Sequence, residues 1–173
     1  MSLMVNLNPD PSCLKEAWWK HQGTIAAQDS DGRWKYSCKD TTSPGIAFAP
    51  TSKQFGRDRF GKVMVGIVEC SQAQNTFPIT GLSTCRNLCR GTASDRRFWI
   101  AGEMYDGGAL AHELQFIGNQ YKGWVKLLGS AVYTMDDWLK VKRLVDDGQL
   151  PYPWWGTPTK AVAGSPMGPV LIP

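Results

Sequence analysis

Apolar positions fall along this chain in short runs, most with period two, separated by turn-forming residues. Trp34, Tyr36 and Cys38 alternate with Arg33, Lys35 and Ser37, the signature of a half-buried strand. Asp31-Gly32, just before them, is a strong hairpin turn signal, so 23–28 and 33–38 are predicted to pair. Lys62–Cys70 is nearly continuous in apolar, β-branched residues and predicts a central strand buried on both faces. A second hairpin is predicted where Phe98–Tyr105 and Ala109–Ile117 flank Asp106-Gly107-Gly108, with Leu110, His112, Leu114 and Phe116 alternating against Ala111, Glu113 and Gln115. Gly123–Tyr133 reads as a further strand completing a meander.

Helical spacing is scarcer. Asp10 as cap, Pro11 at the first turn and Leu14, Ala17 and Trp18 on one face predict a short helix over 10–20, ended by Gly23. Thr134-Met-Asp-Asp137 has the form of a capping box, with Asp in place of Glu. Trp138, Val141, Leu144 and Val145 follow at helical spacing, and Gly148 supplies the stop. The stretches 41–60 and 71–94 read as irregular, and the Pro/Gly-rich segment from Pro151 onward reads as extended. Fold and organisation follow: a mainly β, antiparallel sandwich or barrel-like domain of five to seven strands over 1–150, with two short helices and an extended C-terminal arm over 151–173.

Composition narrows the class. Hydrophobic residues are 42% and charged residues 20%, a globular balance rather than a disordered one. With 19 Lys and Arg against 15 Asp and Glu, the chain lacks the dense positive field of a dedicated nucleic-acid binder. No run approaches the roughly 20 apolar residues of a transmembrane helix, so no membrane partner is predicted. Met1 reads as a native start, and Met1–Asp10 lacks the charged-then-apolar pattern of a signal peptide. Five cysteines without an export signal predict free thiols in a reducing compartment.

Candidate chemistry is thin. Cys85 and Cys89, with Cys70 and Cys38, offer one zinc-like pair where zinc ribbons show two, or a disulfide within Cys70, Cys85 and Cys89. Glu103 with His112 or Glu113 would share a face of the second hairpin, an arrangement that alternation creates in most hairpins. Arg86, Arg90, Arg96 and Arg97, and Lys53, Arg57, Arg59 and Lys62, are interleaved with Phe55, Phe60, Phe98 and Trp99, but Asp58 and Asp95 dilute both clusters. No catalytic residue, metal or cofactor is assigned, and the chain is expected not to be an enzyme.

The unusual feature of the composition is tryptophan, at eight copies. Trp18-Trp19 and Trp154-Trp155 stand outside any periodic core pattern, where amphipathic rings suit contacts between surfaces. The tail adds Val170, Leu171 and Ile172, apolar anchors that a mere linker would not need. The expectation is therefore a homo-oligomeric structural subunit of a large multi-protein assembly. A phage virion component, capsid-decorating or tail/neck, assembled in the host cytoplasm, is its most natural case. Trp154, Trp155, Val170, Leu171, Ile172, Trp18 and Trp19 would make the contacts to other subunits. The alternative is a disulfide-containing, aromatic-rich domain binding carbohydrate.

Overall fold

A computed structural model of the chain describes residues 7, 16, 19–20, 24–38, 45–48, 56–71, 81–82, 85–106, 114–117 and 123–153. Among them are ten strands: β1 (Trp19–Lys20), β2 (Thr24–Gln28), β3 (Trp34–Cys38), β4 (Gly45–Phe48), β5 (Val63–Cys70), β6 (Gly81–Leu82), β7 (Cys85–Ser94), β8 (Arg97–Met104), β9 (Leu114–Ile117) and β10 (Trp124–Tyr133). A 3-10 turn (Gly56–Arg59) and one α-helix, α1 (Met135–Asp146), accompany them. Six strands form a sheet in the order β2-β3-β10-β5-β8-β7, and four form a smaller one, β1-β4-β9-β6. Every pairing is antiparallel. The mainly antiparallel β class is as the alternation predicts. The larger sheet is open, with β2 and β7 at its edges, rather than closed into a barrel.

The central strands bury both faces, so the sheet carries a core on each side. Met64, Val68, Cys70, Phe98, Ile100, Met104, Val125, Leu127 and Val132 gather with Tyr36 on the first face. Val63, Val65, Ile67, Trp99, Ala101, Ala131 and Tyr133 gather on the second, where Trp138 and Val141 of α1 cover them. Each fully buried aliphatic or aromatic side chain contributes about 1.5–3 kcal/mol relative to exposure.

One bulge keeps β10 in phase with both cores. Its register against β5 shifts between Leu127 and Gly129, so Leu128 is the extra residue. Before the bulge, odd-numbered Val125 and Leu127 face the first core. After it, odd-numbered Ala131 and Tyr133 face the second.

Helix α1 forms as its caps dictate. Thr134 Oγ1 accepts from the Asp137 N–H at 3.2 Å. At the other end Gly148 adopts φ +71. Its N–H reaches the Val145 carbonyl, and the Gln149 N–H reaches that of Leu144. The first hairpin also stands as predicted: Gly32 N–H bonds Asp29 O, Asp29 N–H bonds Arg33 O, and Gly32 takes φ +81. The loop is thus three residues long, a type I turn closed by a left-handed glycine.

Four expectations are corrected. Trp19–Lys20, the end of the predicted 10–20 helix, pairs with β4 as a strand, and Glu16 lies in no regular element. The other residues of that segment lie outside the described ones. The stretch read as irregular over 41–60 contains β4, and that over 71–94 contains β6 and all ten residues of β7. β7 escapes a period-two reading because two register shifts, between Arg86 and Cys89 and between Thr92 and Ser94, break its alternation. The hairpin of β8 with 109–117 does not form. Both edges of β8 are taken, by β5 and β7, and β9 joins β4 and β6 in the smaller sheet.

Gly91 lies opposite Trp99. A Cβ there would sit 2.5 Å from the indole Nε1. The ring cannot withdraw, because it is buried and meets Trp138 edge-on at a centroid distance of 6.3 Å. Gly91→Ala is therefore expected to cost about 1–3 kcal/mol through overpacking. A urea-denaturation midpoint equal to that of the unsubstituted protein would show that the indole yields.

Candidate functional site

The second face has two halves. Beyond the apolar half under α1 runs a charged row across the sheet: Lys35, Lys126, Glu69 and Arg97, on β3, β10, β5 and β8, stand successively opposite one another. Glu69 Oε2 accepts from Arg97 Nε at 2.8 Å. Lys35 and Lys126 are like charges side by side, which is destabilising without a counter-ion.

The first hairpin supplies it. Asp29 Oδ2 lies 2.9 Å from both Lys35 Nζ and Lys126 Nζ. Asp31 Oδ2 lies 3.0 Å from Lys126 Nζ and 3.3 Å from Arg33 Nη1. Arg33 Nε donates to the carbonyl of Leu128, the bulge residue, at 3.1 Å. Lys126 is only 8% exposed, so these two carboxylates are what allow an ammonium to sit there. Beside the network, Lys35 Nζ stands 4.9 Å above the half-buried Trp124 ring.

The electrostatics follow. The Lys126 hydrogen bond first, then those of Lys35 and the Ser30 N–H, hold the Asp29 carboxyl well below the usual carboxylate range. Burial pushes Asp31 up, but the Arg33 N–H, Lys126 and Arg33 outweigh it and its pKa falls. Burial likewise opposes the Lys126 charge, yet its bonds to Asp29 and Asp31 raise its pKa on balance.

A carboxylate depressed on folding stabilises the protein fully above its unfolded pKa, about 4, and loses that contribution as pH falls toward the folded value. The melting temperature is thus expected to drop as pH is lowered below about 4. Asp29→Asn is expected to be less stable at neutral pH and to show a shallower acid slope. Parallel profiles for the two proteins would remove Asp29 from the acid response.

The cysteines do not assemble. The register shift in β7 puts Cys85 against the first core and Cys89 against the second. Cys70, buried, donates Sγ–H to the Arg96 carbonyl at the opposite end of the sheet, roughly 25 Å along the strands from Cys85. Cys70, Cys85 and Cys89 are free, and their positions preclude a disulfide or a shared metal among them. Among the described residues no group of three or more His, Cys, Asp or Glu could hold a metal ion. Burial, helped by the negative charge of Glu103, pushes the Cys85 thiol up to about 12. Burial also raises Cys89, with Lys142 opposing and Asp146 adding. Both are expected to resist alkylation at pH 8 until the protein unfolds, as peptide mapping after an iodoacetamide pulse would show. Rapid labelling of either in the folded protein would contradict this.

The other sequence candidates part ways. Glu103 is mostly buried and accepts from Arg86 Nη2 at 2.6 Å across β7 and β8; His112 and Glu113 lie outside the described residues. Phe98 and Trp99 point into opposite cores, so they form no stacking platform with the arginines. Arg97 is held by Glu69, and Arg59 is buried with its guanidinium carbon 4.5 Å from the Phe60 ring centre. Trp18, Trp154, Trp155, Val170, Leu171 and Ile172 lie outside the described residues, as does all of the 151–173 arm after Pro153. Trp19 stands in β1 opposite Ala47.

What sequence reasoning missed is where the two terminal segments meet the core. The Leu7 N–H donates to the Val132 carbonyl at 2.8 Å, and Leu7 packs against the first core. Tyr133, the next residue of β10, donates its hydroxyl to the Pro153 carbonyl at 3.2 Å on the second face. Leu150 and Pro153 are buried, and Tyr152 packs against the second core. No helix among the described residues is long and apolar enough to cross a membrane. No protein-family model, curated protein or solved structure matches this chain.

Proposed function

We infer that the chain is a structural subunit of a large multi-protein assembly, joined to neighbouring copies through its terminal arms. A phage virion component, capsid-decorating or tail/neck, assembled in the host cytoplasm, is the setting that suits it best. The observation that carries this reading is the pair of anchors on consecutive residues of β10. Leu7 is bonded to Val132 and Pro153 to Tyr133, so a residue near each terminus is tied to β10. Trp154 and Trp155 follow directly on the buried Pro153. An apolar segment on a fixed root loses less freedom when it docks than one on a loose tether, which favours its use as a contact arm.

The same reading takes the smaller sheet as the second layer of a sandwich over the first face, and two observations support it. β6 comes close to β8, and first-face residues such as Met64 and Val68 are fully buried. The carbohydrate-binding alternative is weaker, since Cys70, Cys85 and Cys89 stand too far apart to supply its disulfide.

Light scattering on the full chain and on a chain ending at Pro153 tests the arm. That cut keeps the Tyr133 bond and removes only the segment beyond it. A discrete oligomer that falls to a smaller species on truncation is the expected result. The same mass in both forms would overturn the arm reading.

A further inference from the structure

The chain contains three Asp-Gly pairs, Asp31-Gly32, Asp106-Gly107 and Asp147-Gly148. Gly107 lies outside the described residues, and the other two pairs form a matched comparison. Each places a left-handed glycine in a turn, Gly32 at φ +81 and Gly148 at φ +71. Each glycine donates its N–H backwards along the chain, Gly32 to the Asp29 carbonyl at 2.9 Å and Gly148 to that of Val145 at 3.1 Å. The two carboxylates are what differ.

Asp31 is held by both oxygens. Oδ1 accepts from the Arg33 N–H at 3.0 Å, while Oδ2 lies 3.0 Å from Lys126 Nζ and 3.3 Å from Arg33 Nη1. These partners oppose rotation of the group and favour its charged form. Asp147, at the C-terminal end of α1, is exposed, and its carboxylate has no hydrogen-bond or ion-pair partner among the described residues. Gly148 is exposed as well, and a Cβ built on it would meet nothing within 4 Å.

An Asp-Gly bond has a reaction open to it that needs only water. The glycine nitrogen attacks the Asp side-chain carbon and forms a C–N bond, and the amide proton and carboxyl hydroxyl leave as water. Water then reopens the cyclic imide at either carbonyl. One opening restores Asp; the other runs the main chain through the side-chain carbonyl as isoaspartate, with no net change in mass. Loss of the hydroxyl requires a carboxyl that can take a proton and turn toward the nitrogen. Glycine, with no side chain, leaves that nitrogen open to approach.

We propose that Asp147 is a site of isoaspartate formation in the folded protein, and that Lys126 and Arg33 withhold Asp31 from the same reaction. Isoaspartate lengthens the main chain by one methylene, here where the N–H groups of Gly148, Gln149 and Leu150 fold back onto the carbonyls of Val145 and Leu144. Those bonds end α1 and set the buried Leu150, so the modified protein is expected to melt at a lower temperature than the fresh one.

The test ages the full chain in neutral buffer, folded and in parallel in urea, and measures isoaspartate at each position by peptide mapping. In the folded protein the amount at Asp147 is expected to exceed that at Asp31 by about tenfold or more, as a tenfold difference in protonated carboxyl would produce. In urea both pairs lose their surroundings, and the ratio is expected to approach parity. Asp147→Glu, whose longer side chain does not close this ring readily, is expected to remove both the modification and the drop in melting temperature. Lys126→Met, shown by circular dichroism to be folded, is expected to raise isoaspartate at Asp31. The folded-against-urea comparison does not depend on that variant folding. Three results would overturn the proposal: equal amounts at the two positions in the folded protein, an Asp147 that stays unmodified while folded, or an unchanged Asp31 in folded Lys126→Met.

Discussion

Strand β10 must serve two cores, and a regular strand cannot do so with this sequence. Side chains alternate strictly, so Val125 and Leu127 facing one core would carry Ala131 and Tyr133 to the same side. The extra residue at Leu128 reverses that phase, giving Val125, Leu127 and Val132 to the first core and Ala131 and Tyr133 to the second. A bulge leaves the ladder locally interrupted. Here Arg33 Nε takes the Leu128 carbonyl, which ties the first hairpin to the interruption. The hairpin in turn carries Asp29 and Asp31 to Lys126, whose ammonium the same strand places on the second face.

The bulge thereby divides the molecule. Before it, β10 pairs with β3 and carries the ionic network; after it, β10 holds α1, Leu7 and Pro153. The polar half tolerates a lysine in an otherwise apolar strand because its counter-ions come from a short, glycine-closed turn. That turn has little freedom to withdraw them. The apolar half depends instead on Trp99 against Trp138, an edge-on pair worth about 0.5–1.5 kcal/mol beyond its burial, and on the missing side chain at Gly91.

What could be read in the sequence was whatever is written locally. The apolar run of β5, the Asp31-Gly32 turn and the Thr134-to-Gly148 frame of α1 each announce themselves within a dozen residues, and each stands where it was expected. Misreadings came where distant pairing overrides a local signal. Asp106-Gly107-Gly108 resembles a hairpin turn, yet β8 already has β5 and β7 as neighbours. β7 hides behind its two irregularities. Lys126 was a signal left unused: a lysine amid Trp124–Tyr133 requires a counter-ion, but nothing local says that residues 29 and 31 supply it. Of the residues expected to make contacts, the described ones give only the setting, namely β1 for Trp19 and the root at Pro153 for the tryptophans beyond it.

The asymmetry of the edges belongs to the same logic. β7 must accommodate Cys85 in one core and Cys89 in the other, and it does so by bulging, which also spoils it as a template for a further strand. β2 serves one core only, through Ala26, and stays regular because nothing demands a change of phase.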